Sequence, residues 1–460
     1  MLNAADFTAL AAIVGEENFY SDKPHTLAYS YDATRAQREP EGVIFPRSEA
    51  DVQAILRYCN SRKIAVVPRG SGSGFTGGSL SVNGGIVLAL EKHMNNILEI
   101  DLENMLARVE PAVINKDFQN EVEKIGLFYP PDPASQEYCT LGGNVSENAG
   151  GMRAAKYGIT KNFVLALRAV LPNGEVIRAG KKTIKDVAGY NIAGLLIASE
   201  GTLGVITELT LKLIPKPRLI KTAMGVFPSV EAAMNATYRT FAAGVTPVAM
   251  EFLDNLTIRA VEAAYKKGLP IDAGALLITE VDGNTEADIS WQMETIAKIF
   301  RENGASLFYE ARDAAEAAAI WFARRNASQS LKIYGANKLN EDITVPRSAL
   351  PELLRRIEAI GEKYDHKIPC FGHTGDGNVH VNVMTNKQEA VRYHNAEKAI
   401  TEIFEAAIAL EGTLSGEHGI GLSKAPFMNM AFTKAEMELF RTIKRAIDPN
   451  DILNPGKMGL

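Results

Sequence analysis

Three of the seven histidines in the chain fall in two short polar segments in its last fifth. The segment Ile368–Met384 reads IPCFGHTGDGNVHVNVM, and its two strand-like runs flank a turn, which predicts a β-hairpin. His373 ends the first run and His380 begins the second, so their side chains lie close together if they share a face. Alternation along the strand places Asn382 on the same face as His380.

The second segment reads SGEHGIG and sets Glu417 beside His418 in a glycine-flanked turn. Two imidazoles and a carboxylate form a donor set that suits Zn²⁺, with Fe²⁺ or Mn²⁺ as alternatives. Three protein ligands leave positions open, as in catalytic metal sites. The competing interpretation is a histidine pair held only by hydrogen bonds. The hairpin alone favours that interpretation, whereas the added turn favours a metal.

A further candidate is the arginine pair Arg324-Arg325, which closes the Ala-rich stretch Ala311–Arg325. Its charges could complement the dipole at a helix end. Alternatively, a guanidinium could bind a substrate carboxylate in a bidentate manner. Lys338, which precedes the strand-like run Ile343–Val345, is a candidate to assist.

Glycine-rich segments farther upstream indicate a binding site for a large ligand. Within Ile64–Leu90, two apolar runs flank a loop that is dense in glycine, where backbone N–H groups can surround an anion. Gly72–Gly77 matches G-x-G-x-x-G, but the helix of a dinucleotide fingerprint does not fit before the next apolar run at Ile86. We therefore favour a strand–loop–strand that binds a pyrophosphate over a bare turn. Thr140–Gly151 and Ser199–Gly204 are two more such segments, and the first could lie flat against a planar ligand.

The surrounding elements alternate between strands and helices, which predicts an α+β fold. A helix is expected after the N-cap Ser48, and a hairpin about Asn173-Gly174. After the hinge at Pro215–Pro217, an antiparallel sheet covered by helices is expected to form a second domain. Its predicted strands are Ala223–Phe227, Ala249–Leu253, Ala275–Glu280 and Ser306–Glu310, and its predicted helices are Ser229–Ala242, Asn255–Lys266, Thr285–Glu302, Ala311–Arg325 and Ser348–Tyr364.

Bulk properties exclude several classes of protein. The 460 residues suffice for two or three domains, and a net charge of −6 without a basic stripe argues against nucleic-acid binding. Three widely spaced cysteines indicate reduced thiols in a cytoplasmic compartment and no iron–sulfur ligand set. No signal peptide or membrane-spanning run is expected. Peripheral association with an inner membrane through partners stays open.

The motifs PRGSGSGFTGG, YPPDPAS, LGGNVSENAGG, SEGTLGVIT, FGHTGDGNVH, GEHGIG and NPGK occur in the order seen in a known family. The chain resembles the FAD-dependent 2-hydroxyacid dehydrogenases of the vanillyl-alcohol oxidase/p-cresol methylhydroxylase fold. Within that family it is most similar to the group of the glycolate oxidase D subunit and the D-lactate and D-2-hydroxyglutarate dehydrogenases. The resemblance implies an FAD-binding domain of the p-cresol methylhydroxylase type at residues 1–217, rejoined by 416–460. It implies a substrate-binding cap domain at residues 218–415.

The resemblance also implies site residues. FAD would contact Pro68, Arg69, Gly70, Ser71, Gly72, Ser73, Gly74, Thr76, Gly77, Gly78, Pro131, Asp132, Ser135, Thr140, Gly142, Gly143, Asn144, Ser146, Asn148, Gly150, Gly151, Gly158, Glu200, Gly201, Gly204 and Ile206. The binding would be non-covalent, because Pro68–Leu90 contains no histidine that could tether the flavin. The metal ligands would be His373, His380 and Glu417. His418 would be the catalytic base, and Arg324, Lys338 and Asn382 would bind substrate.

The implied reaction is oxidation of glycolate or a short D-2-hydroxyacid such as D-lactate to the 2-oxoacid. The metal would assist deprotonation, and hydride would pass to flavin N5. Electrons would leave to an acceptor other than nicotinamide, namely an acceptor protein, a quinone or glycolate oxidase partner subunits. A homodimer is one candidate assembly. The alternatives are a D-2-hydroxyglutarate-type dehydrogenase, a transferase like alkyl-dihydroxyacetone-phosphate synthase, and a non-catalytic electron-transfer subunit.

Overall fold

A computed structural model describes residues 2–34 and 36–460. The helices are α1 (Ala4–Val14), α2 (Lys23–Ala28), α3 (Glu49–Arg62), α4 (Asn115–Glu123), α5 (Leu141–Glu147), α6 (Ala154–Tyr157), α7 (Ile192–Leu196), α8 (Val230–Ala242), α9 (Asn255–Tyr265), α10 (Glu286–Glu302), α11 (Ala314–Ser330), α12 (Leu350–Tyr364), α13 (Ala390–Ala409), α14 (Met428–Ala431) and α15 (Lys434–Ile447). The strands are β1 (Phe19–Tyr20), β2 (Gly42–Ile44), β3 (Val66–Arg69), β4 (Ile86–Ala89), β5 (Ile97–Asp101), β6 (Leu106–Val109), β7 (Leu127–Phe128), β8 (Val164–Val170), β9 (Val176–Gly180), β10 (Val205–Lys212), β11 (Ile214–Pro215), β12 (Leu219–Phe227), β13 (Ala249–Asp254), β14 (Ala275–Gly283), β15 (Leu307–Glu310), β16 (Asn337–Thr344), β17 (Cys370–His373) and β18 (Asn378–Thr385).

The chain divides into two compact units. Unit 1 comprises the described residues up to Gly150, together with Ile159–Lys216 and Glu417–Leu460. Unit 2 comprises Gly151–Gly158 and Pro217–Gly416. Each unit is therefore built from segments that are distant in the sequence.

The first sheet of unit 1 has the strand order β1-β2-β4-β3, and β4 runs parallel to both β2 and β3. Its faces are both apolar: Val66 and Ile86 belong to one buried cluster, and Val67 and Val87 to another. Burial on both faces explains why these strands read as continuous apolar runs. The chain passes from β3 to β4 through the glycine-rich loop and not through a helix, as the sequence predicts.

A second sheet in unit 1 has the order β5-β6-β10-β8-β9, and it includes the predicted hairpin of β8 and β9 about Asn173-Gly174. The predicted N-cap of α3 is confirmed, because the Ser48 side chain accepts a hydrogen bond from the Asp51 amide. The glycine-rich segment Thr140–Gly151 contains a short helix. Thr140 caps the short helix α5, accepting from the Gly143 amide at 3.3 Å.

Unit 2 is built on an antiparallel sheet with the order β15-β12-β14-β13-β17-β18-β16. The predicted hairpin is confirmed as β17 and β18, with Phe371 opposite His380 and His373 opposite Asn378. Residues that pair across an antiparallel ladder point to the same face, so both histidines share one face of the sheet.

Two boundaries in unit 2 differ from the sequence-based prediction. Helix α11 continues to Ser330, so Arg324 and Arg325 lie inside the helix and not at its end. Lys338 is the second residue of β16 and does not precede the strand. The helix-dipole explanation for the arginine pair loses its basis, because that effect is confined to the last turn.

Among residues 2–34 and 36–460, no helix combines the length and apolar character needed to cross a membrane.

Asp254 is a buried carboxylate that links elements of unit 2. It caps α9 by accepting from the Thr257 amide at 2.7 Å, and it accepts from the Cys370 amide of β17 at 2.7 Å. Burial raises the pKa of Asp254 from 3.8 to about 6.

We predict that unit 2 loses stability as the pH rises from about 4 to 6. In that window the folded state holds the Asp254 proton, whereas the unfolded state has released it. Asp254→Asn should flatten this part of the pH profile. The free energy of unfolding at each pH is measured by urea unfolding. The signal is the fluorescence of Trp291 and Trp321, which both belong to unit 2. Parallel profiles for the variant and the natural protein would contradict this assignment.

Candidate cofactor cavity and histidine site

Unit 1 contains a large cavity beside the glycine-rich loop. It is lined by Pro68, Arg69, Gly70, Ser71, Gly72, Ser73, Gly74, Phe75, Gly78, Ser79, Leu90, Pro111, Pro133, Ala134, Ser135, Thr140, Gly142, Gly143, Asn144, Ser146, Glu147, Ala149, Gly150, Glu200, Gly201, Gly204, Val205, Ile206, Glu417 and His418. All three predicted glycine-rich segments contribute to this lining. The C-terminal segment adds Glu417 and His418.

Close approach of backbone to side chain shapes one wall of the cavity. A Cβ at Gly70 would overlap Thr140 Oγ1, the atom that caps α5. Glycine therefore allows the end of β3 to lie directly against the start of α5. Next to Gly70, the buried Arg69 donates to Ser79 Oγ at 3.2 Å and brings a positive charge to the lining. Burial lowers the pKa of Arg69 from its ordinary value.

Glu200 holds the C-terminal turn that carries Glu417 and His418. Its two carboxylate oxygens each accept one backbone N–H, from Ile420 and from Gly421, both at 2.7 Å. Burial raises the pKa of Glu200 from its ordinary value, and the two N–H groups oppose that shift. One buried side chain thus fixes the turn that follows His418.

The glycine loop holds the same turn from another side. Thr76 donates from Oγ1 to the His418 carbonyl at 3.2 Å, and its own carbonyl accepts from the Leu422 amide at 2.7 Å. The Phe75 ring lies 5.0 Å from the His418 ring, centroid to centroid. Gly419 has a φ of +84°, and a Cβ there would overlap Glu147 Oε2. The sequence Glu417-His418-Gly419 is therefore shaped to bring two functional side chains to the cavity wall.

The structure places some predicted cofactor residues outside this lining. Those in unit 1 are Thr76, Gly77, Pro131, Asp132 and Asn148, whereas Gly151 and Gly158 belong to unit 2. Some of them support backbone instead: Thr76 bonds to the C-terminal turn, and the Pro131 carbonyl accepts from Gln119 Nε2 at 2.9 Å. The lining also includes residues that sequence reasoning missed, namely Phe75, Ser79, Leu90, Pro111, Pro133, Ala134, Glu147, Ala149 and Val205. Most of them lie within or directly beside the motifs quoted above. Their position next to predicted residues is therefore the signal that could have identified them.

Unit 2 carries the histidine pair on the buried face of its sheet. The Nε2 atoms of His373 and His380 are 3.4 Å apart, and their rings meet nearly edge to face. His373 Nδ1 lies 2.6 Å from Glu251 Oε1, and Glu251 is its register partner on β13. All three side chains are at least nine-tenths buried.

Arg324 approaches the same carboxylate from α11. Its Nε donates to Glu251 Oε2 at 2.6 Å, and its guanidinium lies 4.8 Å from the centre of the Phe371 ring. Within residues 2–34 and 36–460, the terminal Nη1 and Nη2 atoms of Arg324 make no hydrogen bond, so none competes with a ligand. This edge of the guanidinium can bind a carboxylate.

Amide groups continue the polar face beyond His380. The Asn382 amide donates from Nδ2 to the carbonyls of Pro369 and His380, both at 3.2 Å. Its Oδ1 is buried, and so is Oδ1 of its register partner Asn340; in the part of the chain that the structure describes, neither oxygen has a hydrogen-bond partner. Buried polar atoms are normally satisfied, so two adjacent unsatisfied oxygens indicate room for a ligand with donor groups.

Two other residues complete this region. Lys338 lies on β16, the strand that also carries Asn340, and its Nζ donates to Ser328 Oγ. Asp342 is the register partner of His380 and is fully buried. Its carboxylate accepts from the Gly416 amide at 2.9 Å, at the residue that directly precedes Glu417 in the sequence.

The spacing of the histidine nitrogens suits a divalent metal. Two nitrogen ligands at about 2.0–2.1 Å from a tetrahedral Zn²⁺ are about 3.3 Å apart, close to the observed 3.4 Å. A carboxylate at Nδ1 is the usual arrangement for a metal-binding histidine, because it leaves Nε2 as the ligand. His373 and His380 therefore fit a metal, and the third predicted ligand, Glu417, lies in unit 1.

Comparison with known proteins identifies the family of the chain. The family of FAD linked oxidases, C-terminal domain, matches residues 216–458, and the FAD binding domain family matches residues 40–180. The chain belongs to the FAD-linked oxidase family. It is therefore an FAD-dependent oxidoreductase, as the sequence motifs predicted.

Three similar proteins give the family more detail. The chain is 44% identical to glycolate oxidase subunit GlcD of Bacillus subtilis, over 98% of this chain and 95% of that protein. It is 34% identical to a D-lactate dehydrogenase of Anaerostipes hadrus, over 97% of this chain and 94% of that protein. The fold matches p-cresol methylhydroxylase with a TM-score of 0.82 at 18% identity, covering 99% of this chain and 96% of that chain. The predicted fold class is thus confirmed.

We predict that Gly70→Ala weakens FAD binding. The new methyl group must displace either the glycine loop or the start of α5. Overpacking of this kind costs about 1–3 kcal/mol, which is about 5- to 150-fold in affinity. Fluorescence titration of the deflavinated protein with FAD measures the change.

Gly126→Ala is a control for general destabilisation. A methyl group at Gly126 would meet nothing within 4 Å, its φ of +78° strains the backbone of the variant, and Gly126 is outside the cavity lining. Equal FAD affinity of the two variants would contradict the role given to Gly70.

Proposed function

We propose that the chain oxidises glycolate or a short D-2-hydroxyacid such as D-lactate to the corresponding 2-oxoacid, with non-covalent FAD and a divalent metal, Zn²⁺ before Fe²⁺ or Mn²⁺. The observation that carries this proposal is the buried histidine pair next to Arg324, in a member of the FAD-linked oxidase family. Relatives named as a glycolate oxidase subunit and a D-lactate dehydrogenase support the substrate class.

Each side chain has a defined task in this proposal. Arg324 binds the substrate carboxylate through its terminal nitrogens, and Asn382 contacts the substrate. His418 takes the proton of the 2-hydroxyl group, because a histidine is an effective base near neutral pH. His373, His380 and Glu417 bind the metal. When bound, FAD supplies a hydride acceptor and the metal supplies a Lewis acid at the hydroxyl group.

The proposal extends to substrate size and electron acceptor. Lys338 would offer a second cation to a longer dicarboxylate, so a D-2-hydroxyglutarate-type activity is the alternative within the same mechanism. Reduced FAD would pass its electrons to an acceptor protein, a quinone or partner subunits of the glycolate oxidase kind.

An anaerobic flavin-reduction screen tests the function. We expect glycolate or D-lactate alone to bleach the FAD absorbance, and L-lactate to leave it unchanged. D-2-hydroxyglutarate in the same panel tests the role given to Lys338. A flavin that no hydroxyacid reduces would contradict the proposal and favour a transferase or an electron-transfer subunit.

His418→Ala should slow flavin reduction by about 10²–10⁴-fold while FAD stays bound, because the variant lacks the base. Stopped-flow absorbance at saturating substrate measures the rate. His394→Ala is the matched control, since His394 is an exposed histidine on α13. Unimpaired reduction in His418→Ala would show that another group takes the proton.

We also predict that acid precipitation releases all of the flavin into the supernatant. The glycine loop contains no histidine, and His418 is the histidine of the cavity lining. Yellow colour that remains on the precipitate would contradict non-covalent binding, and its loss in His418→Ala would identify the tether.

A further inference from the structure

We infer that Glu251 is a positioning residue that couples metal binding to substrate binding. The inference rests on the proposed function, because it takes His373 as a metal ligand and Arg324 as the group that binds the substrate carboxylate. Glu251 itself would contact neither the metal nor the substrate. It acts through the two side chains that it orients.

The geometry gives each oxygen of Glu251 one task. Oε1 lies 2.6 Å from His373 Nδ1, and Oε2 accepts from Arg324 Nε at 2.6 Å. Glu251 is fully buried in the middle of β13, so water cannot replace either partner. Because a buried charge needs both compensating charge and hydrogen bonds, the carboxylate holds both side chains in place.

The bond to Oε1 selects the tautomer of His373. A carboxylate only accepts hydrogen bonds, so Nδ1 carries the proton and Nε2 keeps its lone pair. This Nε2 faces His380 Nε2 at 3.4 Å, where the metal is proposed to bind. The orientation of the ring and its readiness to bind a metal thus both depend on Glu251.

The bond to Oε2 orients Arg324. It uses the inner nitrogen of the guanidinium, and the Phe371 ring lies 4.8 Å away. This bond uses neither Nη1 nor Nη2. Since guanidinium is planar and rigid, fixing Nε fixes the edge that would meet a carboxylate.

Glu251→Gln separates this role from packing. Glutamine has nearly the same shape, but it offers one acceptor oxygen and one NH₂ donor. It can satisfy either His373 Nδ1–H or Arg324 Nε–H, and its NH₂ group then faces the other donor. Either one of the two side chains loses its orientation, or Nδ1 of His373 accepts from the glutamine NH₂ group and the proton moves to Nε2. Both outcomes weaken metal binding at His373. Glu251→Asp keeps two acceptor oxygens, so it should retain more of the Zn²⁺ affinity than Glu251→Gln.

The test is a Zn²⁺ titration of chelator-treated protein without substrate, in competition with a chromophoric chelator. We expect Zn²⁺ to bind Glu251→Gln about 10–100-fold more weakly than the natural protein, with Glu251→Asp between them. Arg324→Ala should also weaken Zn²⁺ binding, although Arg324 is not a ligand, because Oε2 loses its partner. Steady-state kinetics of Glu251→Gln at saturating Zn²⁺ should show a raised KM for the hydroxyacid.

Asp254→Asn is the matched control. It removes a buried carboxylate from the same strand, whose hydrogen bonds go to the amides of Thr257 and Cys370. It should lower stability and leave the Zn²⁺ affinity unchanged. The fluorescence of Trp291 and Trp321, which both belong to unit 2, reports that unit 2 of each variant is folded. FAD content, which depends on unit 1, should be equal in all variants.

The outcomes distinguish this inference from the proposed function. If Zn²⁺ binds the natural protein and Glu251→Gln equally well, the inference is wrong and the proposed function stands. If Zn²⁺, Mn²⁺ and Fe²⁺ all fail to bind the natural protein, the metal role in the proposed function is wrong, and this inference falls with it. Weak Zn²⁺ binding in Glu251→Gln and Arg324→Ala, together with normal binding in Asp254→Asn, supports the coupling.

Discussion

The approach of two imidazole nitrogens to 3.4 Å within a buried sheet face is the constraint on which the proposed chemistry depends. The antiparallel register of β17 and β18 sets this approach, because it directs His373 and His380 to the same face. Each histidine has a buried carboxylate as its register partner, Glu251 on β13 and Asp342 on β16. Four neighbouring strands thus contribute one side chain each to the polar surroundings of the pair, and the sheet keeps them rigid.

Both units use a buried glutamate for the same physical purpose. Glu200 in unit 1 binds two consecutive backbone amides and holds the turn after His418. Glu251 in unit 2 binds one histidine and one arginine. In each case two donors hydrogen-bond to a carboxylate that is shielded from water. The buried carboxylate in turn holds the neighbouring groups in place. One carboxylate thus holds the turn after His418, and the other holds Arg324 on α11.

Local patterns predicted much of this structure. The hairpin around His373, the cap at Ser48 and the glycine loop all follow from signals within a few residues. Errors arose where such signals are weak. Residues 326–334 contain no glycine or proline, so no local signal marks the end of α11 at Ser330. The role of Glu251 escaped sequence reasoning because its partners are long-range in the chain. An acid inside the apolar run AMEFLD was the available signal, since a charge rarely occupies such a position without a partner.

An anomalous difference map from crystals of the active holoenzyme tests the central claim most directly. Data collected on both sides of the zinc absorption edge, and of the manganese and iron edges, would locate and identify the ion. We expect one peak within bonding distance, about 2.0–2.2 Å, of Nε2 of both His373 and His380. Active crystals with no anomalous peak between these two nitrogens would contradict it.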